Sequence, residues 1–285
     1  MKPVFSPAEI LSAQQISTSL LEGQISLGVE RLQALKDEIY ASIPDRQRQS
    51  RGITWVLERI CQLFISECAT QPQEIRALAD ILFENLDLND FLVGVPIFLM
   101  AEYGKTDPPV ALEFLLVVAD SDDWVVREFA ASGLHKLIKP CREVVLPWIR
   151  QLAQSDKPNL RRCASESLRP VSGNRWLQDE PETSLEILRL LFREAYPYPR
   201  TSVGNNLSDL ARRNPKLILE IVRELVESGD KNSYWIAYRA CRNMVKESPE
   251  EIMDILGVDE YHYKDRNFFR QRKATLLGIN STPPK

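Results

Sequence analysis

The stretch PNLRRCASESLRP, residues 158–170, decides the fold. Projected at 100° per residue, Leu160, Cys163, Ala164 and Leu168 gather on one side of a helix, and Arg162, Glu166 and Arg169 on the other. Three more stretches carry the same frame: WVVREFAASGLHKL (124–137), YPRTSVGNNLSDLARRNP (198–215) and YWIAYRACRNMV (234–245). They align on Leu134, Leu168, Leu207 and Met244, with Ala130, Ala164, Val203 and Ala240 four residues earlier, so the spacings are 34, 39 and 37 residues. A period in that range predicts stacked helical hairpins rather than a closed globule.

Working outward, residues 7–40 read as two helices, the first opened by Ser6-Pro7-Ala8-Glu9, with serine at the N-cap, proline first and glutamate third. SIPDRQRQSRG (42–52) reads as a polar loop, followed by a long helix from Ile53 to Cys68. Two more helices fill 73–103, the first with Ile75, Leu78, Leu82 and Leu86 at helical spacing. KTDPP (105–109) is a turn, PVALEFLLVVADS begins the next hairpin, and clear repeats run to Gly257. From Tyr261 the tail mixes aromatics with Lys264, Arg266, Arg270, Arg272 and Lys273, and its end is expected to fray. Period-two alternation is missing, so no strand is expected. The predicted fold class is all-α, an α-α superhelix of the HEAT-like repeat solenoid kind. The predicted regions are 1–105, an N-terminal helical segment packing on the solenoid; 106–257, the repeats that carry the candidate site; and 258–285, the tail.

The bulk numbers narrow the function classes. With 44% hydrophobic and 27% charged residues over 285, the composition is that of a folded chain without long disorder. No run of 18 apolar residues exists, so no membrane span or membrane partner is expected. The start, MKPVFSPAEI, has no apolar stretch of the secretory type. Cys61, Cys68, Cys141, Cys163 and Cys241 are odd in number, scattered and without C-x-x-C spacing, and read as reduced core thiols of a cytoplasmic protein. With only His135 and His262 as imidazoles, no metal site is expected. Nor is a cofactor: no phosphate-cradling glycine loop exists, and G-x-S-x-G and H-E-x-x-H are both missing. Cys141, near His135, sits in KPCREVV with no third catalytic group evident. The net charge is −4, yet residues 120–245 hold 20 Lys+Arg against 17 Asp+Glu, a net of +3, which leaves −7 for the remainder. Eighteen of those cations fall from Lys136 to Arg239, so the repeats are the basic part of an acidic chain.

The same projection assigns faces to the other repeats. It buries Val126, Phe129, Ala130, Leu134 and Leu137 in the first; Val203, Leu207 and Leu210 in the third; Ile236, Ala240 and Met244 in the fourth. It turns outward Trp124, Glu128, Ser132 and His135; Ser202, Asn205 and Asp209, with Asn206 on the flank; and Trp235, Tyr238 and Arg242. Stacked in register, Ser132, Glu166, Asn205 and Arg242 form one row, and Glu128, Arg162, Thr201 and Tyr238 another. A plain solvated face favours Lys–Glu pairs. This one carries arginine, aromatics and a few carboxylates, which suit phosphate together with a flat, cationic group. The bland alternative is a repeat surface laced by ion pairs such as Arg162–Glu166, one turn apart.

WVVREFAA, LRRCASESLRP, RTSVGNNLSDLARRNPKLILEIV and WIAYRACRNMVKESPEEIMDILG resemble the HEAT-like DNA alkylation-repair glycosylases of the AlkC/AlkD type, with the AlkC branch nearer, over about residues 108–257. That resemblance implies duplex DNA held in a concave face and hydrolysis of the bond between sugar C1′ and a cationic alkylated base, without deep flipping of the base. It implies that Glu128 and Glu166 stabilise charge or position water, with Asp209 as an alternative carboxylate. Arg162 would hold a phosphate and Trp124 the deoxyribose or base edge. The matched motif residues are Arg161, Arg162, Ala164, Ser165, Glu166, Arg169 and Pro170, then Asn205, Asn206, Leu207, Asp209 and Leu210. Arg127, Arg161, Arg162, Arg169, Arg200, Asn205, Asn206, Trp235 and Arg242 are the expected DNA contacts.

Two functions from different classes follow. One is a DNA alkylation-repair-like protein that binds duplex DNA with alkylated bases and acts as a 3-methyl-base glycosylase. The other is a non-catalytic HEAT-repeat adaptor that binds a protein partner through Trp124, Tyr238 and Arg242. An RNA-binding solenoid is disfavoured, because no base-reading triplet repeats identically from repeat to repeat. The first function requires Glu128, Arg162, Glu166 and Asp209 to line one hollow.

Overall fold

The computed structural model describes residues 4–69, 71–87 and 90–262. The basic residues Lys264, Arg266, Arg270, Arg272 and Lys273, with the rest of the tail from 263 on, lie outside the described residues. Within them every regular element is a helix, and the chain divides into two compact units, Met1–Pro147 and Trp148–Lys285.

The first unit holds α1 (Pro7–Leu21), α2 (Ile25–Ser42), α3 (Asp45–Arg48), α4 (Ile53–Glu67), α5 (Pro72–Asn85), α6 (Gly94–Tyr103), α7 (Pro108–Ala119) and α8 (Trp124–Ile138). The cap read at Ser6 is present: the Ser6 amide donates to Glu9 Oε2 at 2.8 Å and the Glu9 amide to Ser6 Oγ at 3.2 Å. The segment 42–52 is not all loop, since α3 forms there, with Arg48 and Asp45 paired at 3.0 Å one turn apart. The apolar run around FLVGVPIFLMA becomes α6, which lies against α4, α5, α7 and α8 and so is buried on every side. No described helix is long and apolar enough to cross a membrane. On α8, Val126, Phe129, Ala130, Leu134 and Leu137 are buried as projected. Asp123 caps this helix, accepting from the amides of Val125 and Val126 at 2.7 and 3.2 Å.

Helix α9 (Arg142–Ala153) spans the division between units, which falls at Pro147. The second unit continues with α10 (Pro158–Ser167), α11 (Pro181–Leu188), α12 (Pro197–Leu210), α13 (Pro215–Glu227), α14 (Lys231–Ala240) and α15 (Pro249–Leu256). Prolines here open helices, where the missing N–H has no partner to lose. Alternate helices are neighbours: α10 lies along α12, and α12 along α14, with α13 backing α14. This side-by-side layer positions the site. Its seams are lined by small polar residues that are essentially inaccessible, among them Ser165, Ser202, Asn206, Ser208 and Ser233. Most of their polar atoms bond the chain locally or across the seam. Ser165 donates to the Arg162 carbonyl at 3.0 Å, and Asn206 Nδ2 reaches the Ser165 carbonyl at 2.9 Å. The α12–α14 seam needs Gly204, because a Cβ there would stand 2.9 Å from Arg239 Cβ.

Candidate functional site

The seam between α10, α12 and α14 gathers a chain of alternating charges. Arg169, just beyond the C-terminal end of α10, donates Nη1 to Glu166 Oε1 at 2.6 Å, one turn back. Its Nε and Nη2 both donate to Asp209 Oδ2 on α12, at 3.0 and 2.6 Å. Arg242, beyond α14, donates Nη1 to Asn205 Oδ1 at 2.6 Å and Nε to Ser208 Oγ at 3.0 Å, and its Nη2 stands 3.4 Å from Asp209 Oδ1. Arg239 Nε also donates to Asn205 Oδ1, at 2.9 Å. Glu166 Oε2 accepts from Ser202 Oγ and lies 3.7 Å from Arg162 Nη2.

Glu166 is thus a carboxylate with 12% of its side chain exposed. Burial, the largest single influence, pushes its proton affinity up. The charges of Arg169 and Arg162 and the hydrogen bonds from Ser202 and Arg169 together outweigh that, and hold the group below the ordinary glutamate value. The site therefore offers fixed negative charge in a poorly hydrated seam, flanked by forked cations. Such a seam can stabilise positive charge or bind phosphate.

Beside it lies a surface of arginine and aromatic rings. The Arg162 guanidinium sits 4.5 Å from the Tyr198 ring, and Arg161 sits 5.2 Å from Tyr196. Arg200 and Arg239 lie 4.9 and 5.4 Å from the Trp235 ring. Tyr196 and Tyr198 are exposed and Trp235 half-buried.

Most of the sequence-derived residues fall into three overlapping groups. Arg162, Glu166, Arg169, Asn205, Asp209 and Arg242 come together in the second unit as one bonded group. Trp124, Arg127 and Glu128 stand on α8 of the first unit: Trp124 is 61% exposed, and Glu128 and Arg127 are half-buried. Arg127, Arg161 and Arg200 each occupy the fourth position of their helix and turn back to its leading end. Arg127 Nη1 donates to the carbonyls of Ser121 and Asp122 at 2.6 and 2.8 Å, and Arg161 Nη1 to those of Ser155 and Asp156 at 2.8 and 2.9 Å. Arg200 Nη1 reaches the Ala195 carbonyl at 3.4 Å and Asn232 Oδ1. Arg161 also grips Glu194 with two bonds, Nε–Oε2 at 2.6 Å and Nη2–Oε1 at 3.1 Å. The primary engagement of these three guanidiniums is with their own framework.

The outward assignment needs correction at four positions. Arg162, Ser202, Asp209 and Tyr238 are 6%, 2%, 4% and 5% exposed, hence buried. Asn206, placed on the flank, is fully buried. A single-helix projection assumes one buried face, whereas each helix of a layer is also covered on its flanks. Tyr238 is covered further by Tyr261, whose ring stacks on it at 4.4 Å and 14°, and its hydroxyl accepts from the His262 amide at 2.8 Å. It is therefore a framework residue and not an exposed anchor. Ser202, Arg239, Ser208, Tyr196 and Tyr198 join the site although the motif reading did not place them there. The YPYP segment (196–199) that opens α12, with tyrosine and proline alternating, was the visible signal for the two tyrosines. Cys141 is no nucleophile centre by geometry: its Sγ bonds the Gly104 carbonyl at 3.6 Å, and burial raises its thiol pKa. No metal-ligating group of His, Cys, Asp and Glu occurs among the described residues.

No family model matches the chain. The uncharacterized protein YhaZ of Bacillus subtilis (strain 168) is 26% identical over 145 residues, which cover 49% of this chain and 38% of that protein. The chain thus spans about two fifths of that curated relative's length. Two solved structures share the fold. The alkylpurine DNA glycosylase AlkC of Pseudomonas fluorescens, bound to DNA containing an abasic site analog, matches with a TM-score of 0.55 and 19% identity over 87% of this chain and 66% of that one. AlkD2 from Streptococcus mutans matches with a TM-score of 0.56 and 19% identity over 75% of this chain and 97% of that one. The chain therefore has the all-α, HEAT-like repeat fold of these two structures.

Proposed function

We propose that the chain is a DNA alkylation-repair-like protein that binds duplex DNA and hydrolyses the N-glycosidic bond of cationic alkylated bases. The observation that carries this reading is Glu166, kept ionised at low exposure between Arg162 and Arg169. An N3- or N7-alkylated base departs readily, because the electron pair of the C1′–N bond neutralises its charge. Positive charge then grows on the sugar, as in glycoside hydrolysis. A fixed carboxylate lowers the cost of that charge. Water oxygen then bonds C1′ and sheds its proton to the carboxylate or to solvent. In this reading the exposed Tyr198 ring faces the strand, with the buried Arg162 guanidinium stacked against it. The solved AlkC structure, with its abasic-site DNA, supports DNA as the partner. The proposal is built on the second unit; Trp124 and Glu128 enter it only through the motif resemblance.

The test is release of free 3-methyl or 7-methyl bases from methylated duplex. Release by the protein and its loss in Glu166→Gln support the reading. No release above the Glu166→Gln level removes the enzymatic claim.

One observation favours a second reading, the protein-binding adaptor. Both oxygens of Glu166 and of Asp209 are already taken up by internal partners, as in a structural brace. An adaptor would bind its protein partner at high salt and in the presence of excess DNA. A repair protein would lose its ligand steeply as salt rises.

A further inference from the structure

A pocket of about 360 Å³ opens in the second unit beyond the carboxylate seam, lined by Arg212, Arg242, Asn243, Val245, Lys246 and Tyr261. Among the described residues that line it, three are cationic and none is acidic. Asp209 Oδ1 stands 3.7 Å from Arg212 Nη2 and 3.4 Å from Arg242 Nη2. The other oxygen of that carboxylate is held by Arg169 at 2.6 Å. One carboxylate oxygen thus faces two guanidiniums, beside the exposed Lys246. Converging cations of this kind raise the local concentration of anions and repel each other until one arrives. Forked guanidiniums with a point-charge ammonium are the donor set that phosphate oxygens take.

We propose that this pocket is a phosphate-binding site, in which Arg212 and Lys246 supply the charge and the Tyr261 ring forms one wall. Its volume exceeds what a bare phosphate fills and leaves room for an attached sugar or base. Because Arg242 lines the pocket and also bonds Asn205 and Ser208, an occupant would sit directly beside the proposed reaction site. The phosphate has two sources of the same chemistry, the backbone of a bound strand or a free nucleotide. The first source deepens, and rests on, the DNA reading; the second stands without it.

The experiment uses the full chain and the double variant Arg212→Gln/Lys246→Gln, both exposed positions whose loss should leave the circular dichroism spectrum unchanged. Three probes are titrated: inorganic phosphate and 5′-dAMP, followed by phosphorus NMR, and an undamaged 16-base-pair duplex, followed by anisotropy from 50 to 200 mM salt. The wild type should bind one or both classes of probe. The double variant should bind phosphate and dAMP at least tenfold more weakly, or show a duplex salt slope smaller by roughly 1.8, the loss of two phosphate contacts. A changed duplex slope assigns the site to the strand. Binding of dAMP without duplex binding assigns it to a free nucleotide and sinks the DNA reading alone. Wild type that binds none of the probes, or a double variant indistinguishable from it on all three, overturns the phosphate site; duplex binding with an unaltered slope and no effect on dAMP overturns it while leaving the DNA reading intact.

Discussion

Arg169 closes its guanidinium on Asp209 across 40 residues of chain, with Nη2 2.6 Å from Oδ2, while Nη1 stays 2.6 Å from Glu166 Oε1. One side chain therefore ties the proposed reaction-site carboxylate, Glu166, to Asp209 on α12. Removing it leaves two mostly buried acids short of counter-charge, a change that costs about 3–5 kcal/mol in buried pairs. Arg169→Ala should lower the unfolding free energy read from urea denaturation by an amount in that range. Arg169→Lys should recover only part of it, because an ammonium lacks the fork that spans both partners. A loss below about 0.5 kcal/mol for the alanine variant would mark the group as solvated decoration.

Ser202 donates to the remaining oxygen of Glu166 and is one of the groups that hold its proton affinity down. In Ser202→Ala the acid limb of base release should move to higher pH, with a stability cost of about 1 kcal/mol for the lost bond. The pH dependence of stability has the same origin. Glu9, Glu166 and Asp230 all titrate below their ordinary values of 4.5, 4.5 and 3.8 in the folded chain. For each, burial is the largest influence and acts upward. Arg59 for Glu9, Arg169 and Arg162 for Glu166, and the Ser233 amide and hydroxyl for Asp230 outweigh it. A depressed carboxyl contributes stability that is complete above the unfolded value and vanishes as pH falls through the folded one. Melting temperature should therefore hold level above about pH 5 and fall progressively below pH 4.5. Glu166→Gln should flatten part of that fall; a parallel curve would show Glu166 to be indifferent.

Much of this arrangement was legible before any coordinates. The Leu134–Leu168–Leu207–Met244 frame located the repeats, and the residues it assigned to the core are buried. What a one-helix projection does not carry is the flank. Arg162 and Asp209 project opposite the apolar stripe, yet a neighbouring helix covers them on the side. The reach of arginine is likewise invisible to a face diagram: its long stem lets Arg127 and Arg161 fold back onto carbonyls five and six residues earlier. A finer sign was present, since Ser121-Asp122 precedes Arg127 at the spacing with which Ser155-Asp156 precedes Arg161.

Gly204 is a point of close approach between α12 and α14. A methyl there would meet Arg239 Cβ at 2.9 Å, too close to the backbone for a rotamer change to relieve. Alanine gains about 1 kcal/mol of helix propensity over glycine and loses about 1–3 kcal/mol to overpacking. Gly204→Ala should therefore be destabilising on balance. It should also disturb the Arg239–Asn205 bond and weaken duplex binding beyond the stability change. A variant more stable than the wild type would show that the seam has slack.

Arg127 and Arg161 separate framework from ligand contact. Each donates to two carbonyls of the turn that leads into its own helix, and Arg161 adds the bidentate grip on Glu194, itself buried. Arg161→Gln leaves Glu194 without its cation and the turn without its anchor, so a loss of about 2–4 kcal/mol is expected. Arg127→Gln, which gives up the two carbonyl bonds, should cost about 1–2 kcal/mol. If both are framework residues, neither change alters the slope of duplex affinity against salt once folding is allowed for. A slope smaller by about 0.9 in either variant would return that arginine to the phosphate contacts, since such a change is what one neutralised phosphate contributes.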